Sequence, residues 1–253
     1  MLLLKKIKHV FIFTLLIALG VSCGSEGDFQ FDDINVSKGG SMSQFYIEQN
    51  FLYVIEETTL SIFDIINDTP SIIAKVDIRM QGETIAKLNN TLLIGTTTGV
   101  LFYDVSNPEV PEQISEYVHI TSCDPVVSDG QYAFITLRSG RNCGVADDVL
   151  EIIDISDLKN PVLVSSYSMV SPYGLALMGT NLFVGELYNG MSWFDVSDVT
   201  NIVLLKSYSE IMAIDFIVNG SDLTITTKNS LLQMQLTETN ELVKLSEMVY
   251  AEN

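Results

Sequence analysis

Chemistry in this chain would have to come largely from carboxylates. Asp and Glu number 32 against 13 Lys and Arg, with only two histidines and three cysteines. Paired carboxylates can cleave a glycosidic bond as general acid and base, and Glu83, Asp124 and Glu186 are the candidates for that work. Arg138 and Arg141 stand close together in a chain poor in cations, and a guanidinium can grip a carboxylate through two parallel hydrogen bonds. With Glu83, Asp124, Tyr173, Glu186 and Tyr188 they form a candidate ligand face of charges and aromatic platforms, suited to a glycan or a peptide. An equally simple reading pairs the two arginines with Asp147 and Asp148 on a solvated rim. Away from the N-terminus a histidine-based triad would have to centre on His119. No Gly-x-Ser-x-Gly elbow accompanies it, so His119 reads as a structural or surface residue. Cys123 and Cys143, with no histidine nearby, are a poor zinc set. Neither a metal nor a cofactor is expected.

Four aspartates, Asp64, Asp104, Asp154 and Asp195, recur in similar surroundings. A single active site would need such a residue once. An Asp that closes a strand before Ser-Asn or Ser-Asp can instead accept backbone N–H groups and fix a turn. Their surroundings are a repeat: Phe102 to Tyr117 reads FYDVSNPEVPEQISEY, Ile152 to Tyr167 reads IIDISDLKNPVLVSSY, and Trp193 to Tyr208 reads WFDVSDVTNIVLLKSY. A looser copy spans Phe63 to Asp77, and a decayed one spans Gln233 to Met248. The anchors Asp64, Asp104, Asp154, Asp195 and Gln235 are separated by 40, 50, 41 and 40 residues, and thirteen residues beyond them stand Asp77, Tyr117, Tyr167, Tyr208 and Met248.

Each copy reads as four short strands. The first two are joined by Gln49-Asn50, Asn89-Asn90, Asp129-Gly130, Gly179-Thr180-Asn181 or Asn219-Gly220, residue types that tolerate positive φ in tight hairpins. No amphipathic helix is read after Cys23. Four antiparallel strands repeated about every forty residues make propeller blades, so the expected fold is all-β: a five-bladed β-propeller of four-stranded antiparallel blades from Met42 to Val249. In such a ring the loops between second and third strands share a face with the connections between blades. That places the candidate ligand residues together, and it places Cys123 beside Cys143, which lies in the long loop Arg138 to Asp148. A disulfide between them is expected. Trp193 occupies a core position in its strand.

The N-terminus carries Lys5, Lys6 and Lys8, an apolar stretch from Val10 to Val21, and Gly20-Val21-Ser22-Cys23 before a polar run. That stretch is shorter than the roughly 20 apolar residues of a membrane-spanning helix. It resembles a bacterial lipoprotein signal, which implies cleavage before Cys23 and lipidation of that residue. The repeat has its own resemblance. Leu150-Glu151-Ile152-Ile153-Asp154-Ile155-Ser156-Asp157, with Asn160-Pro161-Val162-Leu163-Val164, resembles the LVIVD repeat of bacterial secreted and surface proteins. The resemblance implies a β-propeller and carries no agreed activity. The expected organisation is therefore a signal peptide over residues 1–22, a flexible linker over 23–40, and a single propeller of five LVIVD-like repeats over 41–253. Phe29 to Val36 leaves two readings open, pairing across the ring closure or a linker.

Removal of the leader would leave 10 basic residues against 32 acidic ones. Such a surface repels phosphate backbones and anionic headgroups. Nucleic acid is therefore not an expected partner, and membrane contact would come through the lipid anchor. The function expected is that of an exported, membrane-anchored binding scaffold at the cell envelope, on the outer-membrane, periplasmic or cell-surface side, for a glycan or a protein. The alternatives are a carboxylate-dependent glycoside hydrolase or lyase at the channel mouth, and a structural subunit of an envelope complex.

Overall fold

The computed structural model describes residues 40–119, 125–140 and 147–250. Cys23, Phe29 to Val36, Cys123, Asp124, Arg141 and Cys143 lie outside the described residues. The described chain is all β, in five antiparallel four-stranded sheets, each built from four consecutive strands and together forming a five-bladed propeller. Blade one holds β1 (Phe45–Glu48), β2 (Phe51–Glu56), β3 (Thr59–Asp64) and β4 (Ser71–Asp77). Blade two holds β5 (Gly82–Leu88), β6 (Thr91–Thr96), β7 (Gly99–Asp104) and β8 (Glu112–Val118). Blade three holds β9 (Val126–Ser128), β10 (Tyr132–Leu137), β11 (Val149–Asp154) and β12 (Val162–Ser168). Blade four holds β13 (Pro172–Met178), β14 (Asn181–Glu186), β15 (Gly190–Asp195) and β16 (Val203–Tyr208). Blade five holds β17 (Ala213–Asn219), β18 (Asp222–Thr227), β19 (Ser230–Leu236) and β20 (Leu242–Val249). The first strand of each blade is innermost.

Local sequence sets the turns. Gln49, Asn89, Gly130, Gly179 and Gly220 each take positive φ in the hairpin between first and second strands. At the far end of the third strands, Asp64 accepts from Ile66 N at 2.8 Å, and Asp195 from Ser197 N at 2.9 Å. Asp104 and Asp154 each accept from the N and Oγ of the serine two residues on, Ser106 and Ser156, at 2.8 and 2.6 Å. The hydroxyl bond first, and the amide bond second, hold both carboxyls below 3.8. In blade five Gln235 replaces the aspartate and reaches sideways to Asp222 at 3.1 Å.

The pairing registers correct one alignment. Tyr117, Tyr167, Tyr208 and Met248 face Val100, Leu150, Met191 and Leu231, but in blade one the partner of Leu60 is Val76, not Asp77. The turn after Asp64 is one residue shorter, so Pro70 is the counterpart of Pro111 and Pro161. Every fourth strand also carries a bulge at the same place, where Ile73, Ile114, Val164, Leu205 and Leu245 are passed over in the ladder. Bulges steepen strand twist.

Packing between blades is carried by matched cross-strand pairs. Tyr53/Ile62, Leu93/Phe102, Phe134/Ile152 and Phe183/Trp193 occupy one ladder position in blades one to four, and all are at most 3% exposed. Trp193 also donates through Nε1 to Asn181 at 2.8 Å. Each pair joins a buried apolar cluster shared with the following blade. At that position blade five has Thr224/Gln233. Among the described residues no buried apolar cluster joins blade five to blade one.

This contrast is measurable. Phe183→Ala should cost about 3–5 kcal/mol, as for a buried aromatic truncated in a close-packed core. Thr224→Ala, at the matching position of blade five, should stay within about 0.5 kcal/mol, as for ordinary surface sites. Chemical denaturation of both variants checks the difference; equal losses would contradict the assignment of these packing faces.

Candidate functional site at the channel mouth

The ring is closed by polar contacts at its axis. Residues 40–44 run across the channel before β1 begins. Ser41 Oγ receives the Leu175 amide of blade four at 2.8 Å and donates to Asp215 of blade five at 3.0 Å. Met42 N lies 3.4 Å from both Asp215 oxygens. Ser43 O accepts from Ile85 N of blade two, and Gln44 O from Ile55 N of blade one, each at 2.8 Å. This strap therefore ties four blades together. It is fitted to one carboxylate: a Cβ at Gly40 would stand 1.9 Å from Asp215 Oδ2, and one at Gly174 2.6 Å from Oδ1. Burial raises the Asp215 pKa above 3.8, against the opposing bonds from Phe216 N, Ser41 and Met42.

Above the strap lies a cavity of about 530 Å3, floored by Met42, Ser43 and Gln44 and walled by Phe45, Glu83, Thr84, Pro125, Arg138, Pro172 and Tyr173. These residues come from the openings of inner strands and from the first residue after β10. The Arg138 guanidinium carbon sits 3.6 Å from the centroid of the Tyr173 ring. Thr136 Oγ1 donates to Tyr173 O at 2.6 Å, fixing that residue to the neighbouring blade. Asp148 anchors the loop that begins at Arg138. One of its oxygens accepts from Ser139 N and Oγ, both at 2.8 Å, and the other from Ser171 N, also at 2.8 Å. Burial alone would raise its pKa, but these bonds and the nearby Arg138 charge outweigh it and hold the carboxyl below 3.8. Asp148 thus spends its oxygens mainly on backbone, where the sequence had offered it as a simple ion-pair partner.

Of the candidate ligand face, Glu83, Arg138 and Tyr173 come together in this cavity. Tyr188 is 77% exposed on the loop after β14 and is not part of the cavity wall. Glu186 is 3% exposed and already engaged, accepting from Val170 N at 3.0 Å and from Ser192 Oγ. Thr96 and Thr227 end their second strands at the corresponding place and bond the loops that follow, to Gly99 O and Ser230 O. Glu186 is the acidic version of that loop-ordering position. Asp124 and Arg141 fall outside the described residues, as do both cysteines of the expected disulfide. The described residues flanking the two cysteine segments include Pro125 and Arg138, which line the same cavity. His119 stands 6.2 Å from Tyr117, at the side of the ring, in a groove with Asp147 and Glu151.

Residues 122–169, which cover the strands of blade three and its long loop, match the family model of the LVIVD repeat. The chain carries an LVIVD repeat. The motif at Leu150 to Ile155 is therefore β11 and the turn that follows it, with Leu150, Ile152 and Ile153 all buried. A search among curated proteins matches nothing. Solved structures share the fold over most of the chain. The periplasmic gluconolactonase PpgL of Pseudomonas aeruginosa is 12% identical with a TM-score of 0.61, over 79% of this chain and 68% of that one. A protein from Lactobacillus plantarum is 15% identical with a TM-score of 0.64, over 79% and 68%. A protein from Desulfotomaculum acetoxidans is 12% identical with a TM-score of 0.54, over 80% of each chain. These likenesses show the propeller fold.

The strap carboxylate sets a pH dependence. A carboxyl with its pKa raised in the fold binds more protons folded than unfolded between 3.8 and the raised value. The contribution of Asp215 to stability then rises on acidification through that window and falls again as pH increases. Wild type should accordingly gain on Asp215→Asn as pH is lowered from neutrality toward 4. Denaturation curves at both pH values check this, and a constant gap between the two proteins would refute it.

Proposed function

We propose that this chain is an exported, lipid-anchored binding scaffold of the cell envelope, and that it takes its ligand at the channel mouth through Arg138. The observation that carries this reading is the Arg138–Tyr173 stack inside the upper cavity. A guanidinium held this close over a ring is restricted in position, and its planar fork of N–H groups matches carboxylate geometry. The stack also covers the Tyr173 face that a neutral sugar would use. Recognition therefore falls to the guanidinium, and a carboxylate on a glycan or on a peptide is the group that fits it. Glu83 lines the same cavity and makes its lining acidic as well as basic. The lipoprotein-like leader supports an envelope location. Acyl chains contribute about 0.8 kcal/mol per buried CH₂, so several together hold a protein at a membrane without a spanning helix.

The same reading includes a Cys123–Cys143 bond stiffening the upper face. It is supported by the common placement of Pro125 and Arg138 in the cavity wall. Closing a loop of this length would contribute about 3 kcal/mol in the chain-entropy model.

Two measurements test the proposal. Binding to arrays of uronic-acid glycans, neutral glycans and acidic peptides should select carboxylate ligands. Arg138→Ala should weaken that binding about ten- to a hundredfold, the loss of one charged hydrogen bond. Unchanged binding in that variant would discard the mouth site. Thiol titration of the denatured, unreduced mature protein should find no free thiol, and two free thiols would remove the disulfide.

A further inference from the structure

Beneath the strap the channel holds a second cavity of about 380 Å3, roofed by Gly40 and Ser41 and separate from the mouth. Its rim carries Glu48, Leu88 and Asn89 beside the hairpin turns, and its wall is apolar through Val127, Leu177 and Val218. One level of the ladder is informative. There the five inner strands place Ile47, Lys87, Ser128, Leu177 and Val218, opposite Leu52, Leu92, Ala133, Leu182 and Leu223. Three of these five positions are apolar and one is serine, so the blade itself does not require a cation there.

Lys87 is nevertheless ionisable and enclosed. Its side chain is 4% exposed, and its ammonium bonds Glu48, whose side chain is 28% exposed, and the carbonyl of Asn89. An enclosed ion pair is a poor source of stability, because desolvation offsets its attraction, and apolar residues of similar size often do as well or better. The pair leaves the cavity neutral while offering one group of each sign at the end of an apolar wall.

We propose that the lower cavity binds a small zwitterion with an apolar body, of the chemical class of an apolar α-amino acid. Its ammonium would meet the more exposed Glu48, its carboxylate would take an N–H of Lys87, and its side chain would lie against Val127, Leu177 and Val218. A zwitterion keeps the site neutral. A lone carboxylate or a lone amine would bring an uncompensated charge against a wall of largely apolar side chains, which is costly. The site is independent of the mouth, sharing neither Arg138 nor Tyr173.

Calorimetric titration of the mature chain with L-phenylalanine, hexanoate and hexylammonium tests this. The expected result is saturable binding of L-phenylalanine, at least tenfold tighter than either single-charge probe. Lys87→Met/Glu48→Leu, which replaces both partners by apolar groups, should keep the melting temperature and lose at least tenfold in L-phenylalanine affinity. Arg138→Ala should leave that affinity unchanged, which separates this site from the mouth. No saturable binding of L-phenylalanine, equal affinity for hexanoate, or equal affinity in the folded double variant would each overturn the proposal. Should the double variant not fold, the ranking of the three probes on wild type decides alone.

Discussion

Tyr53 with Ile62, Leu93 with Phe102, Phe134 with Ile152, and Phe183 with Trp193 are the side chains that each of four blades sets against the next. A four-stranded sheet of about forty residues cannot bury enough surface on its own, so a blade is stable only between neighbours. These pairs create four apolar junctions. The fifth junction is of another kind, because Thr224 and Gln233 cannot fill an apolar interface and Leu52 and Phe63 opposite are only half-buried. Among the described residues, what joins the ring there is a strap of five residues and one carboxylate. Hydrogen bonds to Asp215 and Ser41 thus hold the place that packing holds elsewhere.

That exchange has a functional side. The strap contributes to the lining of two cavities of different character, Met42, Ser43 and Gln44 to the upper one and Gly40 and Ser41 to the lower one. The upper one is framed by strand ends and by a loop pinned through Asp148, so its guanidinium and its tyrosine are held by rigid elements, as a preorganised recognition site requires. The lower one is walled by inner strands alone. One ring of five similar sheets supplies both, because the inner strands differ where they line the axis and agree where they face each other.

The fold was legible because its signals are periodic. Asp64, Asp104, Asp154 and Asp195 mark the ends of third strands, and Gln49, Asn89, Gly130, Gly179 and Gly220 mark hairpins, each through a local preference that neighbours do not override. Blade one runs out of step with the repeat by one residue because its turn is shorter, and Val76 stands where blades two to four have tyrosine. The grouping of Glu83, Arg138 and Tyr173 followed from which loops share a face. Burial of an individual side chain does not follow from that argument. Glu186 therefore looked available, although Thr96 and Thr227 at the matching position already pointed to loop ordering. The strap left little trace. Gly39-Gly40-Ser41 has the composition of a linker, and only the closeness of Gly40 and Gly174 to Asp215 reveals why small residues are needed there.

A ring with four apolar junctions and one polar closure should open unevenly, and native-state hydrogen exchange measured across a denaturant series reads that difference. Amides within β6, β10 and β14 should exchange only through global unfolding. The Met42, Ile85 and Leu175 amides, which bond the strap or its carboxylate, should exchange through a smaller opening with a shallower denaturant dependence. Identical free energies for both sets would show that the strap is no weaker than the packed junctions, and separate free energies for individual blades would show that the sheets do not form one cooperative ring.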